Sequence, residues 1–298
     1  MPSILKKLNT GDSRALARCI SLVENETEGY IELLQALTFK KHTPIIGITG
    51  PPGAGKSTLI GALATHIATL NKKLAIVAID PSSPFNKGAI MGDRLRMNEN
   101  FLHPNIFIRS MASRGSLGGL APKVFEVSDL IRAADFDFIL IETVGVGQSE
   151  VEIAALADTT ILTLVPEAGD DIQTIKSGVM EIADIFVLNK ADREGANTFI
   201  KNLSILAHNN IRNGWQAPVI KTIATQKDGL QALYDDILQH QLQYKDSVIK
   251  ALFMAEKAMV LIKNSRTKDI SFTSIITDMK LLMEDNNFNL YKYVSQFG

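Results

Sequence analysis

The chain has 298 residues, 46% of them hydrophobic and 21% charged, with 31 basic side chains against 32 acidic ones. That make-up excludes a disordered or fibrous chain, and it lacks the basic surplus that would mark nucleic acid or an anionic membrane as a partner. A single cysteine, Cys19, forms no internal disulfide and fits a reducing, cytoplasmic setting, while no apolar run approaches the roughly 18 residues of a membrane span.

In chain order, residues 1–42 read as a helical segment. Leu16, Ile20, Val23, Ile31, Leu34 and Leu37 recur at helical spacing, and Asp12 interrupts the basic residues Lys6, Lys7, Arg14 and Arg18, so a folded helix is expected rather than a removable leader. Cys19, in "LARCIS", reads as a buried thiol. From Thr43 the texture changes to short β-branched runs: "PIIGIT", "LAIVAID", "NIFIRS", "DFILIET", "TTILTLV", "DIFVLN" and "APVIKT". Such runs, apolar on both faces and separated by helix-length segments, predict parallel strands covered on each side. The fold class is α/β, a doubly wound, mostly parallel sheet over residues 43–230. After Leu230 the strand signals stop, and residues 231–298 are expected to form a helical extension.

The strand "PIIGIT" leads into Gly50-Pro51-Pro52-Gly53-Ala54-Gly55-Lys56-Ser57-Thr58. This matches G-x-x-x-x-G-K-[ST] in the right context, after a strand and before a helix. The glycines let successive amides cradle phosphate oxygens, and the following helix points its positive end at them. Lys56 is expected to reach the β- and γ-phosphates, and Ser57 to ligate Mg²⁺.

"DIFVLNKADRE" carries Asn189, Lys190 and Asp192 in the order N-K-x-D. A carboxylate at Asp192 accepts from both N1–H and N2–H of guanine, whereas adenine presents a lone pair at N1 and repels it. GTP and GDP are therefore the expected ligands. Ile223, Ala224 and Thr225, after the last strand, are candidates to offer amides to guanine O6.

Three carboxylates follow strands or loops near the phosphates: Asp80, Asp93 and Glu142. Mg²⁺ takes hard oxygen ligands and keeps waters, so these are the candidate metal-linked acids, with Glu142 closing its strand in the Walker-B position. In "ETVGVGQSE", Gly145 is the candidate γ-phosphate contact and Gln148 is displaced from the usual water-orienting place. Slow intrinsic hydrolysis is expected, with Arg94, Arg96, Arg114 or Lys176 as inducible charge donors.

Taken together, "GITGPPGAGKSTLI", "VAIDPSSPF", "GDRLRM", "ETVGVGQSE", "AGDDIQTIKSG" and "VLNKAD" resemble the MeaB/ArgK/MMAA family of P-loop GTPases over about residues 10–230. The resemblance implies a homodimeric G-protein chaperone of an adenosylcobalamin-dependent mutase, typically methylmalonyl-CoA mutase. It implies that residues 167–178 form an additional switch, with Lys176 entering the catalytic site, and that the C-terminal extension dimerises. No Asp-x-His-x-x-Gly segment occurs in the sequence, so the chain is not expected to hold cobalamin tightly itself.

Two alternatives use the same phosphate loop. A nickel-delivery GTPase should carry a Cys/His cluster, but His42, His66, His103, His208 and His240 are scattered without ligand spacing. A small-molecule kinase, such as one acting on an amino acid, is disfavoured by the guanine-reading Asp192.

Overall fold

A computed structural model describes residues 2–80, 103–113, 120–143, 149–169, 179–208, 211–212, 214–243, 248–267, 269–282 and 290–297. In chain order the first unit contains α1 (Pro2–Leu8), α2 (Ser13–Glu24), α3 (Tyr30–Gln35), β1 (Ile45–Thr49), α4 (Lys56–Thr69), β2 (Leu74–Asp80) and β3 (Ile106–Ala112). It continues with α5 (Val124–Ala133), β4 (Phe138–Glu142), α6 (Ser149–Leu156), β5 (Thr159–Leu164), α7 (Val179–Ile182), β6 (Ile185–Leu188) and α8 (Ala196–His208). A small pair β7 (Ile211–Arg212) and β8 (Trp215–Gln216), then β9 (Val219–Lys221) and α9 (Leu230–Gln243), complete it.

All seven apolar runs become strands of one sheet in the order β3-β2-β4-β1-β5-β6-β9, and every adjacent pair is parallel. Alternate residues explain why the inner runs are mostly apolar. Ile45, Val77, Ile139 and Ile141 face one core with Leu16, Ile20, Val127 and Ile153 from the helices. Their neighbours Ile46, Ile48, Ile76 and Leu140 face the opposite core with Leu59, Leu63, Leu233 and Ile237. Both faces of the five inner strands are buried, as a parallel sheet under helices requires.

The N-terminal helices belong to the first of these cores. Asp12 caps α2 by accepting the amides of Arg14 at 2.9 Å and Ala15 at 2.8 Å. One turn on, Leu16, Cys19, Ile20 and Val23 supply a single buried stripe. Burial pushes the Cys19 thiol up, which makes it a packing group rather than a nucleophile.

A row of aspartates stitches the edge of the sheet where β4, β5 and β6 begin. Asp137, Asp158 and Asp184 each stand one residue before a strand and accept the first amides of a neighbour: Lys73 at 2.9 Å, Ile45 at 2.8 Å and Thr160 at 2.8 Å. Asp184 gathers more. His240 of α9, buried, lies with Nε2 3.5 Å from its carboxylate and Nδ1 2.9 Å from the Thr159 hydroxyl. Trp215 donates from its indole to the Asp184 carbonyl at 2.8 Å and packs edge-on against the His240 ring.

The chain divides into two compact units, Met1–Asp246 and Ser247–Gly298. The second contains α10 (Val248–Arg266), α11 (Phe272–Leu282) and α12 (Leu290–Val294). Among its described residues Tyr293 is buried and donates to Asp278 at 2.6 Å, whereas Met254, Met259, Leu261, Leu281 and Tyr291 are exposed. Among the described residues, no helix is long and apolar enough to cross a membrane.

Candidate nucleotide site

β1 is flanked by β4 on one side and β5 on the other, so the sheet order reverses direction at its end. Ligands of doubly wound sheets bind at such a switch point, beyond the carboxyl ends of the strands. Here the chain leaves β1 at Gly50 and re-enters helix at Lys56, which places the phosphate loop there.

The loop needs its glycines for different reasons. Gly55 has φ +84°, and a Cβ there would come 2.5 Å from Asn189 Nδ2. Gly53 has φ +79°, and among the described residues nothing lies within 4 Å of a Cβ placed there. Lys56, largely buried, donates from Nζ to the carbonyls of Gly50 at 2.8 Å and Pro51 at 3.1 Å. Its charge is thus held inside the loop that it is expected to share with phosphate. Pro52, Ala54 and Thr58 complete the motif, and Ala54 is fully buried.

Ser57 donates from its hydroxyl to Glu142 Oε1 at 2.6 Å, with both residues buried. This contact spans the start of α4 and the end of β4. Asp80, also buried, ends the next strand, and its carbonyl accepts the Ser113 amide at 3.0 Å. A hydroxyl and two carboxylates at adjacent strand ends are hard oxygen donors, so the set fits Mg²⁺ that takes its remaining ligands from phosphate and water. Among the described residues no group of three or more His, Cys, Asp or Glu is placed to hold a metal.

Asn189 is the hub of the base side. Its Nδ2 donates to the Ala54 carbonyl at 3.0 Å, and its Oδ1 accepts from the Thr222 hydroxyl and the Ala224 amide, each at 3.2 Å. Lys190, at φ +55°, donates to the Gly53 carbonyl at 2.7 Å. Asp192 is exposed in the turn that follows, so its carboxylate is open to a base edge. The next residue, Arg193, pairs with Glu167, and that hydrogen bond is the main reason the Glu167 carboxyl lies below its ordinary range.

Around Ile223, Ala224 and Thr225 the arrangement is tighter than the sequence suggests. The Ile223 amide donates to the Asp228 carbonyl at 3.2 Å, and the Ala224 amide is the one already given to Asn189. A base oxygen entering here would share or displace those bonds. Thr222, which joins this loop to Asn189, was not among the predicted site residues; no spacing rule singles out a threonine one residue before the loop. Nor were Thr49 and Thr143, whose hydroxyls bond to each other at 3.0 Å beside the phosphate loop. Asp93, Gly145, Gln148 and Lys176, with Arg94, Arg96 and Arg114, lie outside the described residues.

A phosphate loop at the switch point of a doubly wound sheet, cross-braced to an N-K-x-D loop, defines the class: a P-loop nucleotide-binding protein. The family described as "Methylmalonyl Co-A mutase-associated GTPase MeaB" matches residues 16–273. The chain belongs to that family and is a GTPase. A putative GTPase of Pyrococcus abyssi is 48% identical over 243 residues, covering 80% of this chain and 75% of its own. The GTPase ArgK of Escherichia coli is 36% identical, covering 78% and 74%. The mouse protein "Methylmalonic aciduria type A homolog, mitochondrial" is 34% identical, covering 78% and 61%. Among solved structures, one described as an LAO/AO transport system kinase is 25% identical with a TM-score of 0.70, over 99% of this chain and 95% of its own. HypB from Helicobacter pylori, in complex with nickel, shares the fold at 17% identity and a TM-score of 0.51, covering 78% and 98%.

Proposed function

We propose that the chain is a GTP-dependent chaperone of an adenosylcobalamin-dependent acyl-CoA mutase, of the methylmalonyl-CoA mutase type, gating cofactor loading and protecting or reactivating the enzyme. The observation that carries this reading is the match, over residues 16–273, to a family described by its association with that mutase.

In this reading Asp192 accepts from guanine N1–H and N2–H, and Lys190 lays its stem along the base. Asn189 keeps the base loop in register with the phosphate loop through Ala54. Lys56 exchanges the carbonyls of Gly50 and Pro51 for the β- and γ-phosphates. Ser57, Glu142 and Asp80 would hold Mg²⁺, which would neutralise charge on the phosphates. Asp93, Gly145, Gln148 and Lys176 enter the proposal from sequence alone: a further metal-linked acid, the γ-phosphate contact, the water-orienting group and the inducible cation.

The same reading makes the protein a homodimer built on Ser247–Gly298. In support, this unit is small and exposes Met254, Met259, Leu261, Leu281 and Tyr291. A piece of that size rarely supplies a sufficient core by itself, and a second copy is the occupant its apolar faces suit. The protein is proposed to hold no cobalamin tightly by itself.

The test is turnover of GTP and of ATP by the purified chain, with and without a cobalamin mutase from the same source. Faster GTP hydrolysis in a stable complex is expected, with ATP a poor substrate. No complex and no change in turnover would leave a free-standing GTPase instead.

A further inference from the structure

β1 and β4 run side by side, with Ile48 opposite Glu142. The last main-chain rung between them is the Thr143 amide donating to the Ile48 carbonyl at 3.1 Å. β1 ends one residue further, at Thr49, which is still in register with Leu162 of β5, and β4 ends at Glu142. At the ends of these two strands the Thr143 hydroxyl donates to the Thr49 hydroxyl at 3.0 Å. The ladder is thus extended by one side-chain rung past the end of its backbone rungs.

We propose that the Thr49–Thr143 hydroxyl bond is a positioning contact for GTP hydrolysis, holding the acid-bearing end of β4 in register with the first residue of the phosphate loop. This rests on the GTPase reading of the site.

Three observations carry it. First, both residues are essentially fully buried, at 0% and 1% exposure, and Thr49 has Ile48 before it in β1 and Leu162 opposite it in β5. Valine has the same branched shape and would fill the space without a polar atom. Two facing buried hydroxyls are equivalent to an apolar pair in volume, so what they add is direction rather than packing. Second, the bond lies one residue from each of the two groups on which phosphate chemistry depends. Thr143 follows Glu142, whose carboxylate receives Ser57. Thr49 precedes Gly50, the first residue of the phosphate loop, whose carbonyl receives Lys56 before phosphate takes it. Third, hydrogen bonds constrain angle as well as distance. Ordinary side-chain packing at the ends of two strands would leave them freer to slide or rotate against each other.

The consequence is specific. Phosphoryl transfer depends on positioning and charge placement, and a small displacement of the carboxylate relative to the lysine is felt in the chemical step more than in ground-state binding. Neither threonine touches the nucleotide in this proposal; each acts through its neighbour.

The test compares the full-length wild type with Thr49→Val, Thr143→Val, Thr143→Ser and the Thr49→Val/Thr143→Val double variant. It measures kcat and KM for GTP, GDP affinity and thermal midpoint. Each valine variant is expected to lower kcat about fivefold, the rate equivalent of one hydrogen bond, with KM and GDP affinity within about twofold of wild type. Thr143→Ser, which keeps the hydroxyl, should restore kcat. The double variant should be no slower than the slower single one, because both singles remove the same bond. The proposal is overturned if kcat stays within about twofold of wild type in both valine variants, if the two losses multiply, or if kcat is unchanged while the thermal midpoint falls. Should Thr143→Val not fold, Thr49→Val and Thr143→Ser decide by the same criteria. Wild-type turnover in the same assay reads the GTPase activity separately, and its absence would remove the reaction the pair is said to serve.

Discussion

Asn189 reaches across 135 positions of sequence to donate from Nδ2 to the Ala54 carbonyl at 3.0 Å. With Thr222 and Ala224 bonded to its Oδ1, one buried amide joins the phosphate loop, the base loop and the loop after β9. Removing it leaves several buried polar groups without a partner. Asn189→Ala is therefore expected to weaken GTP and GDP alike by about 10- to 100-fold, the equivalent of roughly 1–3 kcal/mol. Titration with a fluorescent GDP analogue checks this, and an affinity within twofold of wild type would contradict the bracing role.

Asp192 predicts a change of preference rather than a general loss. A carboxylate presents two acceptors, whereas an asparagine amide presents one acceptor and one donor. Asp192→Asn should lower GTP affinity by about tenfold or more and gain for xanthosine triphosphate, whose 2-oxo group accepts a hydrogen bond. Competition between the two nucleotides is the measurement, and unchanged discrimination would refute the assignment of the base loop.

Gly55 and Gly53 have similar left-handed backbones but different surroundings. Alanine at either position carries the strain of a positive φ, about 1–2 kcal/mol. At Gly55 it also drives a methyl against Asn189. Urea denaturation of the nucleotide-free protein should therefore show a larger loss for Gly55→Ala than for Gly53→Ala. Equal losses would mean that Asn189 yields without cost.

At the opposite edge of the sheet, acid should loosen the fold through Asp137. Burial pushes its carboxyl up, but the Lys41 ammonium at 2.9 Å and the Lys73 amide outweigh that and hold it below the usual range. A carboxyl with a folded value below its unfolded one stabilises fully above the unfolded value, about 3.9, and that stabilisation is lost as pH falls through the folded value. The Lys41 partner is partly exposed, so the ion pair itself contributes no more than about 1 kcal/mol. Denaturation midpoints measured from pH 5 downward should fall, and Asp137→Asn should flatten that limb. A variant with the wild-type slope would exclude this residue.

Much of this was legible in the residues alone because the signals are local. Each of the seven strands of the main sheet coincides with an apolar run; the five inner ones are buried at every position, which leaves few polar residues to break the signal. The phosphate loop and N-K-x-D loop announce themselves because their chemistry occupies consecutive residues. What escaped depends on distance. His240 looks like one of five scattered histidines until the fold brings it to Thr159 and Asp184. Glu167 and Arg193 form their pair 26 residues apart, and the Thr49–Thr143 bond joins residues 94 apart. One omission was local. "IRNGWQ" carries an Asn-Gly pair, a strong hairpin signal, and β7 pairs with β8 across it; strands of two residues were too short to show a period.

The chain contains one tryptophan, and the fold places it with unusual economy of meaning. Trp215 is tied to Asp184 and faces His240, so its emission reports on a single place, the seam where the C-terminal turn of α9 meets the starts of β5 and β6. Because α9 begins directly after the loop that follows β9, at Leu230, this natural fluorophore stands at the far end of a rod whose near end borders the proposed guanine site. Unmodified protein thus carries its own optical reporter of how firmly that helix is seated, and the reporter needs no label near the nucleotide.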